Sequence, residues 1–231
     1  MQIIKLKKTR STQDYIKKLV KKQRNTREDL FVVSAQQTGG KGTKGRSFSS
    51  NKGGVYLSYL HFHTGKKASC AFEINKVTSL AVIKTLLAFG VKAGIKWPND
   101  IYVNGKKICG MLIENTLVGE YLDYSIIGIG LNVNNALEEE LAPIATTINK
   151  VTGKEANLES VLFTLIYNLQ NPEKVSLYDD YLLFLGQKIS VISRDGTTFT
   201  DIIDGVLEDG RLLLKSGKIL TAEEISIRDV N

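Results

Sequence analysis

Cysteine is nearly absent from this chain, whose 231 residues hold only Cys70 and Cys109. The two stand far apart and fit neither a disulfide framework nor zinc-ligand spacing, so both are expected as reduced thiols. Histidine is as scarce. His61 and His63 alternate onto one strand face, which would suit a metal pair, but no third histidine exists and both are read as structural. No stretch approaches the ~18 consecutive apolar residues of a membrane span, and the N-terminus MQIIKLKKTR has no apolar signal-peptide core. The expectation is a cytoplasmic protein with no membrane partner. Internal repeats and low-complexity linkers are missing too.

What is present reads as globular: 42% hydrophobic and 24% charged residues exclude a disordered or collagen-like chain. The length allows one large domain, or one with a small appendage. Thirty-one Lys+Arg against 24 Asp+Glu give a net charge of +7. That balance suits nucleic acid, an anionic small molecule or an acidic protein, and does not choose among them.

Apolar alternation at Ile3, Ile4 and Leu6 is followed by Ser11 and Asp14, spaced as a helix cap, and by Tyr15, Ile16, Leu19 and Val20 on one helical face. Residues 30–35 and 55–62 have strand composition, and Leu80, Ile83, Leu86 and Leu87 recur at helical spacing before a Gly90 cap. Asn104-Gly105 predicts a tight hairpin between strands at 101–103 and 108–113, and residues 124–133 read as a buried strand containing Gly128 and Gly130. Two helices are expected next, one on Leu158, Val161, Leu162, Leu165, Ile166 and Leu169, the other from Asn171-Pro172 to Gly186. From Gln187 onward, short strands alternate with Asp195-Gly196, Asp209-Gly210 and Ser216-Gly217 turns. The expected division is 1–185 and 186–231, with the small β-domain packed on the larger one because it is too short to sustain its own core.

Gly40-Lys41-Gly42-Thr43-Lys44-Gly45 matches G-x-G-x-x-G letter for letter, and residues 40–47 miss a Walker A loop by having Arg46 where lysine is required. Both motifs need a helix after the loop to hold phosphate, and here a β-run follows. A kinase loop is β-flanked, but no H-R-D or D-F-G element accompanies it. A mobile basic surface loop competes with one that closes over an anionic ligand through its amides, Lys41, Lys44 and Arg46.

Residues 95–102, IKWPNDIY, followed by 106–114, KKICGMLIE, resemble the most diagnostic stretch of the biotin protein ligases. Ser11-Thr12-Gln13, then Gln37 with the loop through Arg46, and then residues 128–133, GIGLNV, occur in that family's order, and residues 224–228 resemble its small Src-homology-3-like barrel. The resemblance runs from about residue 3 to the C-terminus. It implies an α/β fold with a mixed β-sheet, related to class II aminoacyl-tRNA synthetases and lipoate ligases. It also implies an AMP-forming ligase that makes biotinyl-5′-adenylate and pyrophosphate from biotin and ATP, then transfers biotin to a lysine of a carboxylase's carrier domain.

By that resemblance Ser11, Thr12 and Gln37 take the ureido group with the Lys41 backbone, and Gln13, Gly40 and Gly110 join the biotin set. Lys107 matches the family's catalytic lysine, Arg46 assists from the loop, and Asp100 is a candidate to orient a metal or to accept the proton of the incoming lysine. Gly42, Thr43, Lys44, Gly45, Phe48, Trp97, Asn99, Asn132 and Arg228 form the nucleotide set, with packing as the competing use of Trp97. Mg²⁺ is the expected ion, near Asn99 and Asp100, because it bridges phosphate oxygens.

The family's loop usually reads G-R-G-R-x-G-R, whereas Lys41 and Thr43 stand at its first two arginines, and Phe48 stands where tryptophan is common. Threonine lacks the charge and donors an arginine offers an adenylate, so looser retention of the intermediate is expected. The first ligand motif comes at Ser11, which implies a ligase without operator binding; a second copy of the chain is a further candidate partner. Three rivals remain: a lipoate- or octanoate-type ligase, whose R-R-x-S-G-G-G loop is absent; a relative that binds biotin without transferring it; and a basic nucleic-acid module. From Gln187 onward Phe199 is the single aromatic, against that last reading.

Overall fold

The computed structural model describes residues 2–22, 27–193, 195–222 and 225–229. Strand β1 (Gln2–Leu6) leads into helix α1 (Thr12–Lys22), where the Ser11 hydroxyl accepts the Asp14 amide at 3.4 Å as the capping spacing predicts. Then come β2 (Leu30–Ser34), β3 (Val55–Phe62), helix α2 (Ala71–Ala88), β4 (Gly94–Lys96), β5 (Asp100–Val103), β6 (Lys106–Val118) and β7 (Tyr121–Leu131). They form one seven-stranded sheet in the order β1-β2-β3-β7-β6-β5-β4. Only β1 and β2 pair in parallel; the other neighbours are antiparallel, which makes the sheet mixed.

Period-two alternation divides the apolar residues between two faces. Leu30, Val32, Leu60 and Ile126 meet Ile16 of α1 on one face. Phe31, Leu57, Tyr59 and Ile127 turn to the other, where Ile83 and Leu86 of α2 and Val161 and Leu165 of helix α4 (Leu158–Gln170) cover them. A short helix α3 (Ile148–Thr152) precedes α4, a segment without enough apolar repeats to announce itself.

The hairpin at Asn104-Gly105 is present, with φ of 49° and 73° as a turn that matches strand twist requires. The helix expected from Asn171 to Gly186 is not. Asn171 instead caps the end of α4, its amide bonded to the Tyr167 carbonyl, and two 3₁₀ turns, Val175–Leu177 and Asp179–Tyr181, follow. Leu182 bridges to Ile95 and the Leu183 amide bonds the Ile95 carbonyl, so pairing with the sheet edge takes the backbone groups a helix would need. Strands β6 and β7 also run toward each other beyond the expected limits, around a turn at Gly119 with φ 59°.

The last strands, β8 (Lys188–Ser193), β9 (Thr198–Val206), β10 (Leu212–Leu214), β11 (Ile219–Leu220) and β12 (Ile225–Asp229), make a small antiparallel sheet in the order β11-β10-β9-β8-β12. Its buried Val191, Ile203 and Leu212 belong to the same apolar cluster as α2 and the large sheet. The Trp97 indole N–H donates to the Gly210 carbonyl at 2.9 Å across the junction. No helix of the described residues is long and apolar enough to cross a membrane.

Candidate functional site

Two of the central strands, β6 and β7, carry glycine where side chains would otherwise fill a cleft. Gly130 lies between Tyr56 and Gly110, and Gly128 between Ser58 and Leu112. A β-carbon on Gly128 would stand 2.6 Å from Gln13 Oε1, and one on Gly130 would stand 2.5 Å from Phe48 Cε1. The missing side chains therefore leave a floor on which Gln13 and Phe48 rest directly. Above it opens a narrow cleft of about 40 Å³, walled by Ser11, Thr12, Gln13 and Gln37 at one end and by Lys41, Phe48 and Lys107 at the other. Leu57, Met111 and Ile129 give it apolar walls between those polar ends, the character of a small-ligand site.

The glycine-rich segment folds over this cleft as a tight hairpin. Lys41 bridges Ser47, Gly42 N–H donates to the Arg46 carbonyl at 2.7 Å, and Phe48 N–H to the Gly40 carbonyl at 2.9 Å. Its apex is the 3₁₀ turn Thr43–Gly45, with Lys44 at φ 57° and Gly45 at φ 74°. β3 follows and no helix does, so neither phosphate-loop motif has its helix N-terminus. Lys41 Nζ reaches Asp14 Oδ1 on α1 at 2.6 Å and ties the hairpin to the cleft wall.

Lys107 owes its direction to an irregularity no periodicity announces. Ile101 pairs with Cys109 and Tyr102 with Lys107, so Ile108 is an extra residue on β6. Without it Lys107 and Gly110, three apart, would face opposite sides of the sheet. With it the Lys107 side chain folds over Gly110, where a β-carbon would meet its Cε at 2.9 Å. Asp100, opposite Gly110 in register, holds Lys107 Nζ at 2.7 Å.

Two further cavities adjoin the cleft. One of about 300 Å³ lies among Arg46, Phe48, Tyr102, Lys107, Asn132 and the apolar Leu137, Leu141 and Ile144. The other, about 370 Å³, lies among Lys44, Arg46, Lys96, Trp97, Asn99 and Ile227 of the small sheet. Thr43 and Asp100 border all three spaces. Burial and the Asp100 charge raise the Tyr102 phenol above its usual range, with the Arg46 charge opposing. Burial likewise pushes the Cys109 thiol well up, which keeps it inert beside Lys107.

Both asparagines are buried and bonded. Asn99 Nδ2 donates to the Met111 carbonyl at 2.7 Å, and Asn132 Oδ1 accepts from Asn135 Nδ2 at 3.1 Å. Gly40 and Gly45 line none of the three cavities; Gly40 packs against the Phe48 carbonyl and Ser50, which leaves no room for a side chain, and Gly45 shapes the apex. Arg228 lies on β12 with its side chain outside the described residues, and Glu224 of the same motif falls wholly outside them. His61 and His63 border a separate cavity behind the sheet, where His61 Nδ1 meets Asp29 Oδ2 at 2.8 Å and His63 Nε2 meets Ser125 Oγ at 2.7 Å. Among the described residues no group of three or more His, Cys, Asp or Glu could hold a metal.

Sequence reasoning missed the roles of Ser58, which borders the cleft and bonds Thr12 and Gln13, of Glu114, which bonds Gln13, and of Lys17, which bonds Glu114. Ser58 was findable, as the one aliphatic hydroxyl on β3; nothing near Glu114 or Lys17 in the chain announces a role.

The model of the Biotin/lipoate A/B protein ligase family matches residues 6–132. The bifunctional ligase/repressor BirA of Bacillus subtilis is 29% identical over 210 residues, which are 84% of this chain and 64% of that protein. The human biotin–protein ligase is 28% identical over 215 residues, 83% of this chain and 29% of that one. The chain thus spans less than two thirds of either relative. A biotin protein ligase from Aquifex aeolicus, solved in complex with biotin and ATP, superposes with a TM-score of 0.78 at 28% identity over 98% of both chains.

Proposed function

We propose a ligase that activates biotin and attaches it to protein, on the premise that this chain belongs to the Biotin/lipoate A/B protein ligase family, whose model spans its residues 6–132. The observation that carries the reading is the continuity of the site. A polar-ended cleft opens past Lys107 and Asp100 into two larger cavities lined by cations, an aromatic ring and buried asparagines. Biotin enters with its ureido ring toward Ser11, Thr12 and Gln37 and its carboxylate toward Lys107. ATP occupies the space between Phe48, Asn132 and Arg46.

A carboxylate oxygen attacks the α-phosphorus, the bond to the bridging oxygen of the β-phosphate breaks, and pyrophosphate leaves. The attack brings like charges together, so Lys107 and Arg46 offset the repulsion and the charge that develops on the phosphoryl oxygens. The Lys107 ammonium exchanges Asp100 for the ligand oxygens and frees that carboxylate. In the second step the ε-amine of a carrier-domain lysine attacks the mixed-anhydride carbonyl and AMP leaves. That amine is mostly protonated at neutral pH, and Asp100 stands where it can take the proton.

The donors present suit Mg²⁺ that arrives on the phosphates. Asn99 keeps its Oδ1 while Nδ2 is bonded to Met111, Asp100 offers a carboxylate, and this ion is commonly held by one or two such oxygens besides phosphate and water. When bound it would neutralise phosphate charge. The catalytic unit is assigned to residues 1–185 and the small barrel to 186–231. A lipoate-type substrate fits less well, because the dithiolane has nothing to satisfy the hydroxyls and amides at the closed end of the cleft.

The test is pyrophosphate exchange into ATP with Mg²⁺ and biotin, lipoate or neither, run beside Lys107→Ala. Exchange that requires biotin and falls at least ~10³-fold in the variant supports the reading. Lipoate-dependent exchange, or none from folded protein, refutes it.

A further inference from the structure

We propose that His61 and His63 form a second site, apart from the cleft, that binds a borderline divalent transition ion such as Zn²⁺ through one nitrogen of each ring, with Asp29 orienting the first ring. This does not depend on the biotin reading of the cleft.

The pair stands on the other face of the large sheet. Ser58 borders the cleft, so Tyr59, His61 and His63 turn away from it. There they border a cavity of about 580 Å³, larger than any of the three at the cleft, with Ile74, Val77 and Ile127 among its apolar walls. Lys66, which also borders it, is paired with Glu73 at 2.6 Å, and Asp29 supplies a negative charge that favours a cation.

Each ring has one nitrogen engaged and one open. Asp29 Oδ2 lies 2.8 Å from His61 Nδ1, and the same carboxylate accepts the Tyr59 hydroxyl and, through Oδ1, the Phe62 amide at 3.0 Å. A carboxylate only accepts, and a bare nitrogen at that distance would set lone pairs against it, so His61 carries a proton on Nδ1 and offers Nε2. Ser125 Oγ donates to Asn115 Oδ1 at 2.6 Å and accepts from His63 Nε2 at 2.7 Å, which leaves His63 Nδ1. Neither His61 Nε2 nor His63 Nδ1 has a hydrogen bond among the described residues. The buried side-chain atoms without a partner there are Asn75 Oδ1 and Tyr178 OH, so both ring nitrogens are open rather than walled in. A metal-bound imidazole characteristically gives its other N–H to a carboxylate, a carbonyl or water, and the Asp29–His61 pair has that form.

The ring geometry agrees. An ion about 2.1 Å from a ring nitrogen lies about 3.2 Å from the ring centre, so two imidazoles bound at roughly 90–110° have centres about 4.5–5.2 Å apart. The His61 and His63 centroids are 4.7 Å apart, with ring planes at 88°. Imidazole suits Zn²⁺, Ni²⁺ and Cu²⁺, whereas Mg²⁺ and Ca²⁺ take oxygen ligands. Two protein nitrogens leave the other positions to water, so the site is weaker than a closed four-ligand one. The His61 side chain is 40% exposed and gives the ion a way in.

The experiment is titration of the chelator-treated full chain with Zn²⁺, read by calorimetry and by NMR of the imidazole nitrogens, with thermal melts of every variant. The chain holds two histidines, so each ring is followed individually. One equivalent of Zn²⁺ should move the His61 Nε2 and His63 Nδ1 resonances together, and Mg²⁺ should move neither. Affinity should fall at least ~10-fold in His61→Gln and in His63→Gln, and about 10-fold in Asp29→Asn. Cys70→Ser removes the thiol that is not fully buried and should keep the affinity. No binding by the wild type, binding that leaves either ring unmoved, full affinity in any of the first three variants, or its loss in Cys70→Ser overturns the proposal. Where a variant does not fold, the wild-type resonances decide.

Discussion

Gly130→Ala isolates what the glycine floor does. The new methyl would sit 2.5, 2.8 and 2.9 Å from three carbons of the Phe48 ring, against the ~3.5 Å at which carbon atoms pack. The ring must retreat by about 1 Å, and it can, because it hangs from the glycine-rich hairpin rather than from a strand. The backbone at 130 has an ordinary strand conformation, where alanine is favoured over glycine by roughly 0.5–1 kcal/mol. Overpacking and backbone preference thus oppose each other, and the melting temperature should move by no more than a few degrees. Activity should not be spared. Phe48 borders both the cleft and the cavity assigned to ATP, and its ring centroid is 6.0 Å from Lys107 Nζ. Misplacement on this scale costs up to ~10²-fold, so kcat/KM for ATP in biotin-saturated exchange should drop by about 10- to 100-fold. In a Phe48→Ala background the same substitution meets no ring and should cost less than ~3-fold more. Equal penalties in the two backgrounds, or no penalty in the first, would refute the reasoning.

The Asp14–Lys41 pair predicts a salt-sensitive clasp. Asp14→Asn should speed biotin dissociation by roughly 3- to 10-fold in stopped flow at low salt, with the difference shrinking at high salt and the reversed pair Asp14→Lys with Lys41→Asp restoring the slower rate. Stability should fall with acid in two stages. Burial holds His63 down to about 4, helped by the charges of His61 and Lys66, so the folded state binds fewer protons there than the unfolded chain. Stability present above pH 6.5 is then lost as the pH falls through about 4, on the order of 2–3 kcal/mol in urea titrations, and His63→Gln should flatten that slope. Burial works against the Asp29 charge, but hydrogen bonds from His61, Tyr59 and the Phe62 amide outweigh it and hold the carboxyl down to about 2, so a second loss belongs below pH 3.8 and should vanish in Asp29→Asn. Thr43→Arg should slow release of the adenylate, because Thr43 borders all three cavities and an arginine there adds charge-assisted donors.

Much of the fold was legible because its signals are local. The Ser11 cap, the Asn104-Gly105 hairpin, the β-run after the glycine loop, the helix on Leu158 to Leu169 and the late run of short strands each follow from residues a few positions apart. The candidate site was legible as an ordered set of motifs, and these residues do converge: Ser11, Thr12, Gln13, Gln37, Lys41, Lys107 and Gly110 border one cleft. Gln13 is the instructive case, since it was expected to face the ligand and most of its bonds are made beneath it.

The remainder depended on partners distant in the chain. Asn171-Pro172 has the letters of a helix start, yet residues 182 and 183 are claimed by Ile95 of an edge strand that no window around them contains. The face of Lys107 turns on one unpaired residue in β6, and a bulge is a property of two strands together, not of either. Glu114 and Lys17, for which no neighbouring residue announces a role, become the anchor of a polar chain only when α1 packs across β6 and β7. Most elements, the family and the chemical inventory could be read from neighbouring residues, because caps, turns and period-two or 3.6-residue patterns are local; the missing helix after Asn171 and the unannounced α3 mark where that reading stopped. Which way the lysine points and how the buried amides are turned depended on the folded chain, because those are settled by atoms brought together from strands and helices far apart in sequence.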